Sequence, residues 1–180
     1  MIAGGGSCDA TCLSRLIGMK TSDLSQLGEF LLVREDHYTF SKIKNYFDNS
    51  IAHAKLDMGI RSVYRVQLMS EPPNSRHNCF LLWLDTQQSL PDILRNGVKL
   101  PSQPGRIFDN GICYTDRLPE NFNYCKTEFD ELGILVLSEV TLGNVYRSSQ
   151  GLRILKSPPV GFDSVMSLDK NMPSNSDWSI

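Results

Sequence analysis

The sequence predicts a single α+β domain, and three stretches carry that prediction. Residues 22 to 47 place apolar side chains at helical spacing, with Leu24, Leu27 and Leu31 in one set and Phe40, Ile43 and Phe47 in a second. Ser62 to Met69 and Cys79 to Leu84 are rich in β-formers. Gly111 to Arg147 joins a tight turn, an aromatic-bearing segment and a long apolar run, so the rest of the chain is organised around it.

Composition bounds the partners. At 180 residues, 41% hydrophobic and 21% charged, the chain can bury one core of ordinary size. A formal net charge of -2 argues against the clustered Lys and Arg that duplex binding requires, so no direct nucleic-acid contact is expected of this segment. No window reaches the apolar length of a bilayer span, and the first twenty residues lack a basic secretory lead, so an intracellular protein away from the membrane is expected. There are five cysteines, and Cys79, Cys113 and Cys125 lie in apolar, strand-like surroundings that suit buried reduced thiols. Cys8 and Cys12 have the spacing of a ligand pair, but none of His37, His53 and His77 completes a zinc set, and no metal is predicted.

In chain order, residues 1 to 20 are rich in Gly and small residues and read as a tail or a poorly defined lead-in. A helix follows from Ser22 through Leu31, with Thr21, Ser22 or Asp23 as its cap and Gly28 as an internal weak point. The next helix starts near Thr39 and closes at Asn49, with Lys42 and Lys44 off its apolar face. A loop to Gly59 leads to the strand at Ser62 to Met69. Glu71-Pro72-Pro73-Asn74 breaks the chain before Cys79 to Leu84, an almost unbroken apolar run suited to a strand buried on both faces. A short helix is capped by Ser89, opened by Leu90 and Pro91 and stopped by Gly97, after which Val98 to Leu100 re-enter the sheet.

Pro101 to Asn110 reads as a loop arching over the strand ends, closed by the turn signal Asp109-Asn110-Gly111. Ile112 to Tyr114 leave that turn extended. Gly133 to Thr141, with Ile134, Leu135, Val136, Leu137 and Val140, reads as one long central strand. Gly143 and Ser148 to Gly151 mark turns, Ile154-Leu155 forms a brief strand, and residues 157 to 180 are expected to be loop without a final strand.

Motif mechanics narrow the chemistry mainly by exclusion. No G-x-S-x-G turn exists to expose a nucleophilic serine. Gly4-Gly5-Gly6 lacks both the GK[ST] ending and the preceding strand of a phosphate loop. Cys125 with a distant His is outweighed by the reading of a buried, inert thiol.

A resemblance says more. CFLLWLDTQQSLPDILRNGVKL, then GRIFDNGICYTDRLPENFNYCKT, then GILVLSEVTLGNVYR resemble the catalytic domain of the poly(ADP-ribose) polymerases, whose strand ending LLWHGS is followed by GIYFAD, an ANYC-type segment and L-x-GEVALGNxY. The likeness spans roughly residues 40 to 175. It implies an ADP-ribosyltransferase α+β fold, with two small, mainly antiparallel sheets around an NAD-sized cleft and a short helical lead-in. On that layout residues 1–38 are a tail and lead-in, the remnant of a regulatory helical domain, and 39–180 are the catalytic-like domain. The family cleaves the nicotinamide–ribose bond of NAD+ and transfers ADP-ribose to protein acceptors, often in the nucleus.

Carried over residue by residue, the family's HGS becomes Leu84-Asp85-Thr86. Leu84 cannot bond the ribose hydroxyl that the family's His holds, which forfeits on the order of 1 kcal/mol. Asp85 keeps the backbone groups that hold the carboxamide but adds a carboxylate, and Thr86 keeps the hydroxyl. The nicotinamide-stacking Tyr of GIY becomes Cys113, and Tyr114 points to the opposite face of an extended segment. Tyr124 keeps the second ring, while Glu120 and Asn121 stand where the polymerases commonly have Lys and Ser. Glu139 matches the Glu of GEVALGN, a structural position, and the family's catalytic Glu lies on a strand beyond Ile180.

The cofactor-binding residues implied are thus Tyr124, Thr86, Asp85 and Asn121, with no intact catalytic set and an incomplete C-terminal end. The expected function is an NAD+ ADP-ribosyltransferase domain of reduced or lost activity. The alternatives are a non-catalytic PARP-like interaction module, or a fragment of a longer active polymerase.

Overall fold

A computed structural model describes residues 13–15, 17–52, 57–68, 78–100, 111–118, 125–126, 133–148 and 157–167. Its elements are α1 (Thr21–Leu27), β1 (Gly28–Val33), α2 (Tyr38–Ile51), β2 (Val63–Leu68), β3 (Cys79–Asp85) and α3 (Leu90–Asn96). Then come β4 (Cys113–Thr115), β5 (Cys125–Lys126), β6 (Gly133–Ile134), β7 (Leu137–Thr141), β8 (Val145–Ser148) and β9 (Ser164–Ser167). The fold class is α+β, with five ladders in four small sheets among the described residues, four of the ladders antiparallel and one parallel. The chain divides into two compact units, one of residues 1–72, 87–97 and 117–134, the other of 73–86, 98–116 and 135–180.

In the first unit Leu13, Ile17 and Met19 are buried, so this part of the stretch read as a tail or lead-in packs into the unit. Helix α1 buries Leu24 completely but ends at Leu27, and Gly28 begins a strand. Leu31 therefore belongs to β1 and not to the helix. Gly28 is extended, at φ 168°, so its need for glycine is spatial: a Cβ there would collide with the carbonyl oxygen of Gln67 on β2. The ladder runs antiparallel from Gly28 opposite Leu68 to Val33 opposite Val63.

Helix α2 opens at Tyr38, where the His37 ring accepts a hydrogen bond from the Thr39 N–H at 3.2 Å. It buries Phe40, Tyr46, Phe47 and Ser50 along one stripe and runs through Asn49 to Ile51, so Asn49 does not close it. Ser50 donates its hydroxyl to the Tyr46 carbonyl at 2.7 Å, and its own carbonyl receives the Leu118 N–H at 3.0 Å. Helix α3 follows its local signals: Ser89 accepts from the Asp92 N–H at 3.4 Å, Pro91 sits in the first turn, and Gly97 at φ 75° ends the helix with its N–H on the Ile93 carbonyl at 2.8 Å. Beyond it residues 98–100 form no strand, and Leu100 is exposed.

In the second unit β3 is the central strand of the order β4-β3-β7. That corrects the placing of Gly133 to Thr141 as one long central strand. The run is divided: Gly133 and Ile134 pair with Cys125 and Lys126 in the first unit, while Leu137–Thr141 form an edge of the second. Hydrophobicity does not show this division, because both halves are apolar and only the partners differ. Trp83 and Leu84 are buried, whereas the rest of β3 is half-buried. Cys79 and Cys113 carry thiols outside any disulfide, but both are half-buried and not sealed as expected; Cys79 Sγ lies 3.2 Å from Thr141 Oγ1 across the ladder.

Residues 145–148 and 164–167 pair in parallel, so the expected loop from 157 onward contains a strand. The break at 71–74, the loop at 101–110 and the strand at 154–155 lie outside the described residues.

Candidate functional site

The site expected from sequence falls at the C-terminal end of β3 and on the facing β4. Antiparallel pairing sets Trp83 opposite Thr115, Leu84 opposite Tyr114 and Asp85 opposite Cys113. Directly opposed residues share a face of the ladder and neighbours alternate, so Leu84 and Tyr114 occupy one face and Asp85 and Cys113 the other. Asp85 and Cys113, expected from the resemblance to stand at the family's Gly and Tyr positions, are thus cross-strand partners.

Leu84 is the deeply buried member of these two rungs. Leu84 is 1% exposed, its N–H donates to the Val136 carbonyl at 2.9 Å, and it is among the most deeply buried side chains described. Burial pushes the pKa of the Tyr114 phenol above its usual 10.0. Asp85 and Cys113 are half-buried. Thr86, next along, is 8% exposed, so a ligand reaching its hydroxyl would have to enter below the surface. Asp85, Thr86 and Cys113 each interact already with some neighbour. Tyr124, Asn121 and Glu120 lie outside the described residues. Glu139 is exposed on β7 opposite Leu81.

At the other end of β3 a polar clamp holds the turn after β7. Asn78, at φ 58°, donates its side-chain amide to the Gly143 carbonyl at 2.7 Å, and its own carbonyl receives the Leu142 N–H at 3.0 Å. Gly143 is at φ 59°, and the Asp163 carboxylate accepts the Asn144 N–H at 2.9 Å. A Cβ on Gly143 would run into that carboxylate. Asn78 and Asp163 were not singled out from sequence. The signal for Asn78 was weak, an Asn tolerant of positive φ just before a strand.

Among the described residues no group of three His, Cys, Asp or Glu side chains is placed to hold a metal ion. No helix among them is long and apolar enough to cross a membrane.

The family model for the poly(ADP-ribose) polymerase catalytic domain matches residues 37–179. Poly [ADP-ribose] polymerase 1 of Gallus gallus is 32% identical over 155 residues, covering 79% of this chain and 15% of that protein. Its counterpart from Xenopus laevis is 28% identical over 158 residues, covering 81% of this chain and 16% of that protein. Poly [ADP-ribose] polymerase 2 of Homo sapiens is 32% identical over 121 residues, covering 60% of this chain and 21% of that protein. The chain therefore spans about a fifth or less of the length of these relatives.

Proposed function

Because the chain belongs to the poly(ADP-ribose) polymerase catalytic-domain family, we propose that it is an NAD+ ADP-ribosyltransferase domain whose transfer activity is reduced or lost. The observation that carries this reading is Leu84. A fully buried aliphatic side chain occupies the position of the family's ribose-binding His, with no polar atom to offer a hydroxyl. That missing contact weakens binding by on the order of 1 kcal/mol, roughly five-fold in affinity, and by more if the ribose hydroxyl is left buried and unpaired. The pair Asp85 and Cys113 adds a carboxylate and removes a ring on the neighbouring face.

What remains can still hold the carboxamide end of NAD+. The Thr86 hydroxyl can donate or accept, and by the family resemblance Tyr124 is the ring expected to stack on the ligand. Asn121 keeps a hydrogen-bonding side chain where the family commonly has Ser. NAD+ or a nicotinamide-like molecule is the ligand, with a protein as acceptor or partner. The catalytic-like domain begins near residue 39, residues before it serve as lead-in, and the family's nuclear setting is carried over as part of this reading.

The test is transfer of label from labelled NAD+ to the chain or to added protein, run beside a thermal-shift titration. Transfer is expected to be weak or nil, with only a small shift, since ligand equal to its Kd stabilises by about 0.4 kcal/mol. Label transfer at the rate of a relative carrying the intact His and Tyr would sink the proposal.

A further inference from the structure

We infer that Ser157 is a phosphorylation site for a proline-directed protein kinase. Of the nine prolines in the chain, Pro158 alone follows a Ser or Thr, and Pro159 comes directly after it.

The seryl hydroxyl is available. Ser157 and Pro158 are exposed, and Ser157 makes no hydrogen bond among the described residues. The backbone from 157 to 159 is neither helix nor paired strand. A proline ring keeps the residue before it out of the helical region, so Ser157 and Pro158 are both held to extended or turn conformations. A kinase cleft takes its substrate as an extended segment, and neither residue has a backbone bond among the described residues to break on entering one.

Just beyond the pair the chain is held in place. Residues 159–162 form a turn in which the Phe162 N–H donates to the Pro159 carbonyl at 3.0 Å, with Gly161 at φ 89° in the third position. The Asn144 side-chain amide donates to the Gly161 carbonyl at 3.3 Å, and the Phe162 ring meets Tyr146 edge-on, with centroids 5.3 Å apart. The fold thus fixes the C-terminal side of the Ser-Pro pair and leaves the hydroxyl outside.

The chemistry of proline selects the kinase class. Proline has no N–H, so an apolar pocket beside the attacked serine closes on Pro158 without burying the unpaired donor that any other residue would bring. In the transfer the Ser157 Oγ bonds to the γ-phosphorus of ATP and the bond from that phosphorus to the β–γ bridging oxygen breaks. ADP leaves, and the hydroxyl proton passes to the kinase's carboxylate base. From Val140 through Phe162 the sequence carries Arg147, Arg153 and Lys156 and no Asp or Glu, so the added phosphate meets no like charge along this stretch.

The test incubates the folded full chain with a purified mitogen-activated protein kinase and magnesium ATP, beside a synthetic peptide of residues 152–163, and maps the product by mass spectrometry. A single phosphate is expected on Ser157, at a rate comparable to that of the peptide, and Ser157→Ala should remove it. Pro158→Ala restores an N–H and should slow the reaction by about ten-fold or more. Circular dichroism confirms that each variant is folded. Phosphorylation of the peptide but not of the folded chain means that the fold withholds the site, and overturns the inference. Failure of both substrates, phosphate at another residue in place of Ser157, or an undiminished rate in Pro158→Ala overturns it equally.

Discussion

Asp85 and Cys113 face one another across the last rung of the β3–β4 ladder, so the two changes at the proposed carboxamide position are one local rearrangement. Neighbouring residues that share a space couple by about 0.5–3 kcal/mol. Nicotinamide binding in a double-mutant cycle should therefore be non-additive. Cys113→Tyr alone is expected to gain little, because the new ring meets the Asp85 carboxylate, while Asp85→Gly/Cys113→Tyr gains more than the sum of its parts. Additivity within about 0.3 kcal/mol would show that the two side chains act independently.

Restoring the family's His at position 84 should not restore activity at no cost. Leu84 is 1% exposed, and an imidazole there must be desolvated and find partners in a space shaped for an aliphatic chain. Leu84→His is expected to destabilise the fold by about 2–4 kcal/mol in denaturant unfolding. A loss under about 0.5 kcal/mol would mean that the position opens readily to polar atoms.

Burial of Tyr114 makes stability depend on pH at the alkaline end. Its phenol pKa is raised in the folded state from 10.0, so the unfolded chain ionises first. This contribution is fully present below pH 10.0 and is lost as pH rises through the folded-state value. Tyr114→Phe should flatten the fall in stability above that pH and leave the neutral range nearly unchanged. Superimposable alkaline profiles of the two proteins would contradict the assignment.

At Gly143 two penalties combine. The positive φ of 59° disfavours any Cβ, and the Asp163 carboxylate fills the space where one would go. Gly143→Ala is expected to cost about 1–3 kcal/mol. Adding Asp163→Ala removes the collision but also the acceptor for the Asn144 N–H at 2.9 Å, so only part of the loss should return. Full recovery in the double variant would mean that the clamp contributes nothing beyond its bulk.

What could be read from sequence was what is decided locally. Ser89, Pro91 and Gly97 each act within a few residues, and helix α3 lies where those signals put it. Strand β3 was legible because an apolar run of its length can be little else between Asn78 and Thr86. Pairing partners were not legible: the run from Gly133 to Thr141 reads continuously, yet its halves bond to Cys125 and to β3 respectively. Strand β9, Ser-Val-Met-Ser, has little β-propensity of its own and exists through β8 and the Asp163 clamp. At the site, Leu84, Asp85 and Cys113 were identifiable by position, but that two of them oppose each other needed the register. Tyr124 and Asn121 fall outside the described residues.

The parallel pairing of β8 with β9 has a kinetic side. Parallel strands cannot be joined by a tight turn, so this ladder closes only after the chain has travelled out and back, at an entropic cost that adjacent hairpins avoid. Contacts of that kind form late in folding and open early. The amides of residues 145–148 and 164–167 should then exchange with solvent deuterium together, as one cooperative patch whose lifetime is set by the Asp163 clamp and not by the buried rung at Leu84.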